Sequence, residues 1–139
     1  MNVLATPART ANESQRQLLA ANLNNLSSHY DPSVRSISLS LMGRWDKNSP
    51  ASRESLTRGL SDTDPAVRSS AAYAIRNIQN PDSQMIDGLL HIAEDTEAKK
   101  STRYAALGAL GKMSLSGTTF RRYNLAKRNV NRRVASSDN

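Results

Sequence analysis

The stretch Arg68-SSAAYAIRNI-78 is one of three copies of a pattern that also occurs at Arg35-SISLSLMGRW-45 and Arg103-YAALGALGKM-113. The three arginines lie 33 and then 35 residues apart. Periods of this length are typical of stacked supersecondary units, each of which buries its apolar side against its neighbours. The repetition therefore predicts the architecture, and it leaves open which molecule the chain acts on.

Each copy carries small or apolar residues at matching positions three and four apart. This spacing puts them on one face of a helix, so we predict a buried stripe along each copy. By this alignment Trp45, the only tryptophan, is expected in the core. The matching sets are Ser38/Ala71/Ala106, Leu39/Ala72/Leu107, Leu41/Ala74/Ala109, Met42/Ile75/Leu110 and Trp45/Ile78/Met113.

Capping signals divide the chain into helices. Two copies begin Asp-Pro-x-Val-Arg, at Asp31 and Asp64, and aspartate followed by proline is a favoured helix start. The two-residue excess of the third copy is expected in the preceding helix or its turn. Apolar spacing and breaks predict seven helices, over about 13–27, 32–45, 50–61, 65–78, 85–93, 98–113 and 120–130.

Composition favours a helical chain. The 139 residues suit a single domain, and 37% hydrophobic residues with only 4% aromatic ones indicate helices packed through Ala, Leu and Ile rather than a β-sandwich. The absence of cysteine excludes disulfides, thiolate nucleophiles and thiolate metal sites. We find no signal-peptide pattern and no apolar run of membrane-spanning length, so we expect a cytoplasmic protein, or a periplasmic one if a leader has been removed.

Charge is concentrated at the C-terminal end. Residues 1–117 carry 13 Lys/Arg against 11 Asp/Glu, whereas residues 118–139 carry 6 against 1. We predict a flexible N-terminal segment over 1–12, a repeat domain over 13–117 and a basic C-terminal helix or tail over 118–139.

The paired helices, the Asp-Pro-x-Val-Arg starts and the Ala/Leu stripe resemble the HEAT repeat family, in particular its shorter HEAT-like form found in bacteria. The resemblance covers about residues 13–113, although the third copy departs from it at Lys99 and Thr102. It implies an all-α, right-handed α-solenoid (superhelix) of about three antiparallel helix pairs plus a C-terminal helix. It also implies scaffold roles for Asp31, Arg35, Asp64, Arg68 and Arg103.

Residues for catalysis or metal binding are sparse. His29 and His91 stand in no metal-ligand spacing, and a solvated turn accounts for Glu94, Asp95 and Glu97. No nucleophile elbow or phosphate loop is present. We therefore predict a protein that is not an enzyme and that needs no cofactor or metal.

A helical repeat scaffold acts through its surface, and the family resemblance implies that the second helix of each pair lines the concave side. Opposite the stripe, these helices carry Ser36, Ser40, Gly43 and Arg44; Ser69, Tyr73, Arg76 and Asn77; Tyr104, Gly108, Gly111 and Lys112. Tyr and Arg often dominate interface energetics, whereas tyrosines here can also simply cover neighbouring repeats. Gly108 and Gly111 are expected to allow close approach of a neighbour or partner. We predict that a partner protein or peptide contacts Arg44, Tyr73, Arg76, Asn77, Tyr104 and Lys112.

Two alternatives stay open. Basic residues interleaved with Phe120 and Tyr123 suit phosphate contact and base stacking, which gives a nucleic-acid-binding alternative. The second follows from the resemblance, because HEAT-like repeats also form subunits of bilin-attaching lyases. The cations of the first alternative are Arg121, Arg122, Lys127, Arg128, Arg132 and Arg133.

Overall fold

The structure, a computed structural model, describes residues 13–137 and the side chains of residues 13–132. The predicted flexible segment 1–12 lies outside the described residues. Residues 13–137 form seven helices and no strand. The helices are α1 (Glu13–Leu26), α2 (Pro32–Trp45), α3 (Pro50–Gly59), α4 (Pro65–Ile75), α5 (Ser83–Glu94), α6 (Lys100–Leu110) and α7 (Gly117–Ser137).

The helices pack as three consecutive hairpins, α1 with α2, α3 with α4, and α5 with α6. The second helices form a layer in which α4 lies between α2 and α6, while α3 contacts both α1 and α5. The last helix, α7, packs against α5 and α6 at the end of the stack. This arrangement confirms the predicted all-α solenoid of helix pairs followed by a C-terminal helix.

The predicted helix starts are found at the Asp-Pro pairs. Asp31 accepts the backbone N–H of Ser33 at 2.8 Å, and Asp64 accepts that of Ala66 at the same distance. These side chains satisfy N–H groups that have no partner within the helix, and proline follows each of them as the first helical residue. Lys99, at the corresponding place in the third copy, makes no such bond.

Two helices end well short of their predicted C-terminal ends, and α3 ends two residues early at Gly59. α4 ends at Ile75 and α6 at Leu110, three residues early in each case. Ile78 and Met113 instead donate their N–H groups to the carbonyls three residues back, at 2.9 and 3.0 Å, so each helix closes with a tighter turn. α7 is longer than predicted. It runs from Gly117 to Ser137, whereas the sequence predicted a helix over about 120–130.

The predicted stripe is buried in the second copy, and in the third copy apart from the half-buried Met113. In the first copy Ser38, Leu39 and Met42 are buried. Ala71, Ala72, Ile75 and their counterparts in α6 line one continuous core. The expectation for Trp45 is wrong, because its side chain is 66% exposed. Its counterpart Ile78 is 8% exposed. The difference arises because α4 packs on α2, whereas no described helix covers the corresponding side of α2. No helix within residues 13–137 is long and apolar enough to cross a membrane.

A repeated turn cap fixes the register of the three hairpins. The Nδ1 atom of His29, and a carboxylate oxygen of Asp62 and of Asp95, each accept the backbone N–H two residues further on, at 3.0, 2.9 and 3.0 Å. These caps recur every 33 residues. The two-residue excess of the third copy therefore lies after Asp95, in the turn before Arg103, and not in α5.

Candidate interaction surface

The repeat arginines hold the turns together. Arg35 donates from Nε and Nη2 to the two carboxylate oxygens of Asp62, both at 2.9 Å, and from Nη1 to the carbonyl of His29. The hydrogen bond that Arg35 donates to Asp62 is the main cause of the raised pKa of Arg35. Arg35 therefore ties the turn of the first hairpin to the turn of the second.

The other two arginines also bond to backbone carbonyls. Arg68 donates to the carbonyls of Asp62 and Thr63 at 2.7 and 3.2 Å. Arg103 is only 2% exposed, and its Nε donates to the carbonyl of Ala93 at 2.9 Å. Together with the capping residues Asp31 and Asp64, these arginines have structural contacts within the scaffold.

Some residues assigned to the free face of the second helices lie instead in the seams between them. Ser36 hydrogen-bonds Ser70 across the α2–α4 seam, and Ser69 donates to Thr102 across the α4–α6 seam at 3.2 Å. Gly43 also lies against α4. The expectation that these three positions are free is wrong, because the stacked helices approach closely there.

The six predicted partner-binding residues are all exposed on the second-helix side. Tyr73 is 58% exposed, and Tyr104 is 43% exposed with its hydroxyl donating to Asn131 of α7 at 3.3 Å. Lys112 donates to Asn77 at 3.2 Å, linking the second and third hairpins. We call these residues the second-helix surface: Arg44, Tyr73, Arg76, Asn77, Tyr104 and Lys112.

Tyr73 has small residues at the matching positions of both neighbouring helices. In register these are Ser40 on α2 and Gly108 on α6. A Cβ atom built on Gly108 would meet nothing within 4 Å, so the space beside Tyr73 on that side is open. A shallow groove of about 580 Å³ begins next to Tyr73 and runs along the starts of α4 and α6, lined by Ser69, Lys99 and Thr102 among others. Tyr73 is thus an exposed aromatic side chain beside a groove of mixed polar and apolar lining, which includes Asp64 as well as Lys99.

Comparison with known proteins agrees with this architecture. The family model for HEAT repeats matches residues 19–111. The chain belongs to the HEAT repeat family. HEAT repeats are generally protein-interaction scaffolds and typically not enzymes. No curated protein and no solved structure gives a match.

The two helix layers of this HEAT repeat chain differ in charge. The second helices α2, α4 and α6 contain no Asp or Glu, whereas the first helices carry Glu13, Glu54, Asp87 and Glu94. The exposed cations on the second-helix surface are Arg44, Arg76 and Lys112. The second-helix surface is therefore cationic within a repeat body of nearly balanced charge.

The cations of α7 fall into two groups. Arg122 is engaged with α5, donating to both carboxylate oxygens of Glu94 at 2.6 and 2.9 Å and to Asp87 at 3.2 Å. The hydrogen bond with Glu94 raises the pKa of Arg122 and lowers that of Glu94. Arg121, Lys127, Arg128 and Arg132 are exposed, and the side chain of Arg133 lies outside the described residues.

No metal site is formed among the described residues, where no three His, Asp or Glu side chains are grouped to hold an ion. His29 is half-buried, accepts the N–H of Asp31 and stacks on Tyr30. His91 is exposed and lies 3.6 Å from Asp87.

The seam contacts of Ser36 and Gly43 were missed in the sequence because helical periodicity defines a face and not the point where a neighbouring helix touches it.

Proposed function

We propose that this protein is a non-enzymatic interaction module whose second-helix surface binds an acidic segment of a partner protein. The observation that carries the proposal is the absence of carboxylates from α2, α4 and α6, on a surface where Arg44, Arg76 and Lys112 are exposed. Complementary charge speeds encounter between partners and disfavours wrong ones. A cationic surface of this kind selects a partner rich in Asp and Glu.

Tyr73 supplies the apolar part of the proposed contact. Tyrosine buries a large area and still offers a hydroxyl, which is why it is enriched among residues that dominate binding energy. The small residues Ser40 and Gly108 on either side leave room for a partner side chain against the ring. We therefore place Tyr73 at the centre of the contact and the cations at its edge.

A photo-crosslinking amino acid at Gly108 tests this proposal in cells that naturally produce the protein. The position tolerates a side chain, because a Cβ there meets no neighbouring atom. We expect a covalent product with one partner, joined within an Asp/Glu-rich segment, and we expect Tyr73→Ala to remove it. The control places the same amino acid at Glu54, an exposed residue of α3. Equal products from both positions, or attachment to a segment without acidic residues, would refute the proposal.

A second candidate function, nucleic-acid binding, rests on α7. This helix contains no Asp or Glu, and Arg121, Lys127, Arg128 and Arg132 are exposed beside the partly exposed Phe120. Such a surface suits phosphates and stacked bases.

Titrating a labelled single-stranded DNA at several salt concentrations tests this candidate. Binding through these cations predicts that log K falls with log salt by about 0.7 for each phosphate neutralised. Combined alanine substitution of Arg121, Lys127 and Arg128 should then lower the magnitude of this slope by about 2, whereas Arg16→Ala on α1 should leave the slope unchanged. Absence of binding at low salt would eliminate this candidate.

No feature of residues 13–137 favours the bilin-lyase alternative over these two. The cytoplasmic location expected from the sequence stays a prediction.

A further inference from the structure

The first hairpin has an uncovered apolar side that faces away from the rest of the stack. We call it the open end, and its exposed side chains are large. Leu19 and Leu26 of α1 are 41% and 42% exposed, and Ile37 and Trp45 of α2 are 60% and 66% exposed. Leu41, between the last two on the same helix face, is half-buried.

The repeat register shows what these positions do elsewhere in the chain. The matching residues lie 33 positions later, or 35 positions later from α4 to α6, and most are buried where each hairpin packs on the one before it, while Ser70 and Met113 are half-buried. Leu18 provides the contrast, since it is 63% exposed and its counterparts Ala51 and Gln84 are exposed as well. The buried counterparts of the open end are Ser52, Gly59, Ala74 and Ile78 in the second hairpin and Met85, Ile92, Ala105 and Ala109 in the third.

The open end is therefore a stacking surface that has no partner within the described residues. Large apolar side chains present on the order of 150–250 Å² each when free, so these exposed fractions leave roughly 400 Å² of apolar surface uncovered. That is about half of the roughly 800 Å² that each partner buries in a stable interface, and a polar rim ordinarily supplies the remainder.

The opposite end of the stack is closed. There α7 packs on α5 and α6, burying Ala126 and Val130. Its outer side carries exposed cations such as Arg121 and Arg128, with Leu125 exposed between them. Head-to-tail stacking of two copies would have to place the apolar open end on this cationic side. Among the described residues the open end exposes the larger apolar surface, with four large apolar side chains against Phe120 and Leu125 on α7, and these two lie among cations. The open end therefore matches a second open end better than it matches α7.

We propose that two copies of this chain associate through their open ends about a two-fold axis. Such pairing is self-complementary and stops at two copies. It continues the layer of second helices, so that α2 of one copy packs antiparallel on α2 of the other. With the axis near Leu41, Ile37 of one copy meets Trp45 of the second copy, because the two residues lie four positions on either side of Leu41.

Trp45 reports directly on this association because it is the only tryptophan. We expect light scattering to give twice the 15.2 kDa mass of the chain at micromolar concentration. Tryptophan emission should shift to shorter wavelength over the same concentration range in which the mass doubles. The Ile37→Ser variant should stay monomeric with unchanged circular dichroism, since Ile37 is exposed in the single chain.

Disulfide trapping tests the geometry, because the chain contains no cysteine of its own. Under mild oxidation Leu41→Cys should form a covalent dimer quickly, whereas Leu18→Cys, exposed but off the open end, should form it at least tenfold more slowly.

Three results would overturn the proposal. A chain that stays monomeric with water-exposed Trp45 emission leaves the open end for another molecule. A monomer with short-wavelength emission at all concentrations shows that the chain covers the open end itself. A dimer that survives Ile37→Ser shows that another surface pairs.

Discussion

Gly43 of α2 lies directly against Ala74 of α4. A Cβ atom on Gly43 would stand 2.6 Å from the Cβ of Ala74 and 2.8 Å from its Cα. Real Cβ atoms almost never approach other atoms so closely, and the Cα cannot move without its helix. This contact sets the separation of the first two second helices, and it depends on two of the smallest side chains.

We expect Gly43→Ala to lower the free energy of unfolding. Alanine normally favours a helix over glycine by about 1 kcal/mol, but overpacking costs about 1–3 kcal/mol, and the 2.6 Å approach puts the cost here at the upper end of that range, above the gain. Urea denaturation measures the difference. Gly108→Ala is the matched control, because its Cβ meets nothing within 4 Å and the variant should be as stable as the parent or more so. Equal behaviour of the two variants would contradict the close approach.

A large side chain at Ala71 should also destabilise the stack. Ala71 is fully buried. Its Cβ lies so close to Gly59 of α3 that a Cβ atom added to that glycine would stand only 3.0 Å away. We expect Ala71→Leu to lower stability by about 1–3 kcal/mol through overpacking. Thermal melting followed by circular dichroism measures this loss. An unchanged melting temperature would show that the stripe does not pack as described.

Asp62 makes stability depend on acid pH. Partial burial opposes its ionisation, but the hydrogen bonds from Arg35 and the N–H of Asp64 outweigh this effect, so the pKa of Asp62 lies below its ordinary value. A carboxyl whose pKa is lowered by folding adds to the free energy of unfolding. This stabilisation is complete above the unfolded-state pKa, about 3.9, and it is lost as the pH falls through the folded-state pKa.

We therefore expect Asp62→Asn to lower the melting temperature at neutral pH and to match the parent more closely below about pH 4. Thermal melts across this range measure the gap between the two proteins. Glu54→Gln, at an exposed residue of α3, should show no comparable gap. If the gap stays constant with pH, the Arg35–Asp62 pair does not contribute in this way.

The double variant Tyr73→Ala with Arg76→Ala should abolish partner capture while leaving the melting temperature nearly unchanged. Both side chains are exposed, so their loss removes little packing. Pull-down of the partner identified by cross-linking gives the readout. Tyr30→Ala is a suitable control, because Tyr30 is 88% exposed in a turn outside the second-helix surface. Undiminished capture by the double variant would remove these residues from the binding surface.

The sequence predicted the hairpins well because local chemistry fixes them. Asp31 and Asp64 cap helices whose first residue is the proline that follows, and a helix accepts proline without loss of a hydrogen bond only in its first turn. The ends of α4 and α6 were less predictable, since Ile78 and Met113 continue the apolar pattern after the helix has tightened into a turn.

The position of Trp45 shows what periodicity cannot supply. Trp45 and Ile78 do occupy equivalent positions in their repeats. Ile78 is buried because a hairpin precedes it, whereas no hairpin precedes that of Trp45 among the described residues. A repeat pattern gives equivalent positions, but it does not distinguish the end of a stack from its interior. The exposure of Arg44, Tyr73 and Tyr104 was predictable, because exposure on a helix follows from burial of its opposite face. Arg76, Asn77 and Lys112 are exposed in the turns that follow α4 and α6, and the binding role of all six residues stays a prediction.

The constant interval between the turn caps makes the middle of the chain a cassette. The caps at Asp62 and Asp95 bound this segment, as His29 and Asp62 bound the one before it. Residues 62–94 therefore contain one cap and the two helices that lead to the next cap. Duplicating that segment would keep each cap acceptor with the N–H that it accepts, and it would add two helices, one to each layer of the solenoid. The solenoid would lengthen while the first hairpin and α7 kept their present exposed surfaces. A duplicated segment that included the longer turn before Arg103 would instead add two residues to the repeat, and it would change the register of every hairpin after it.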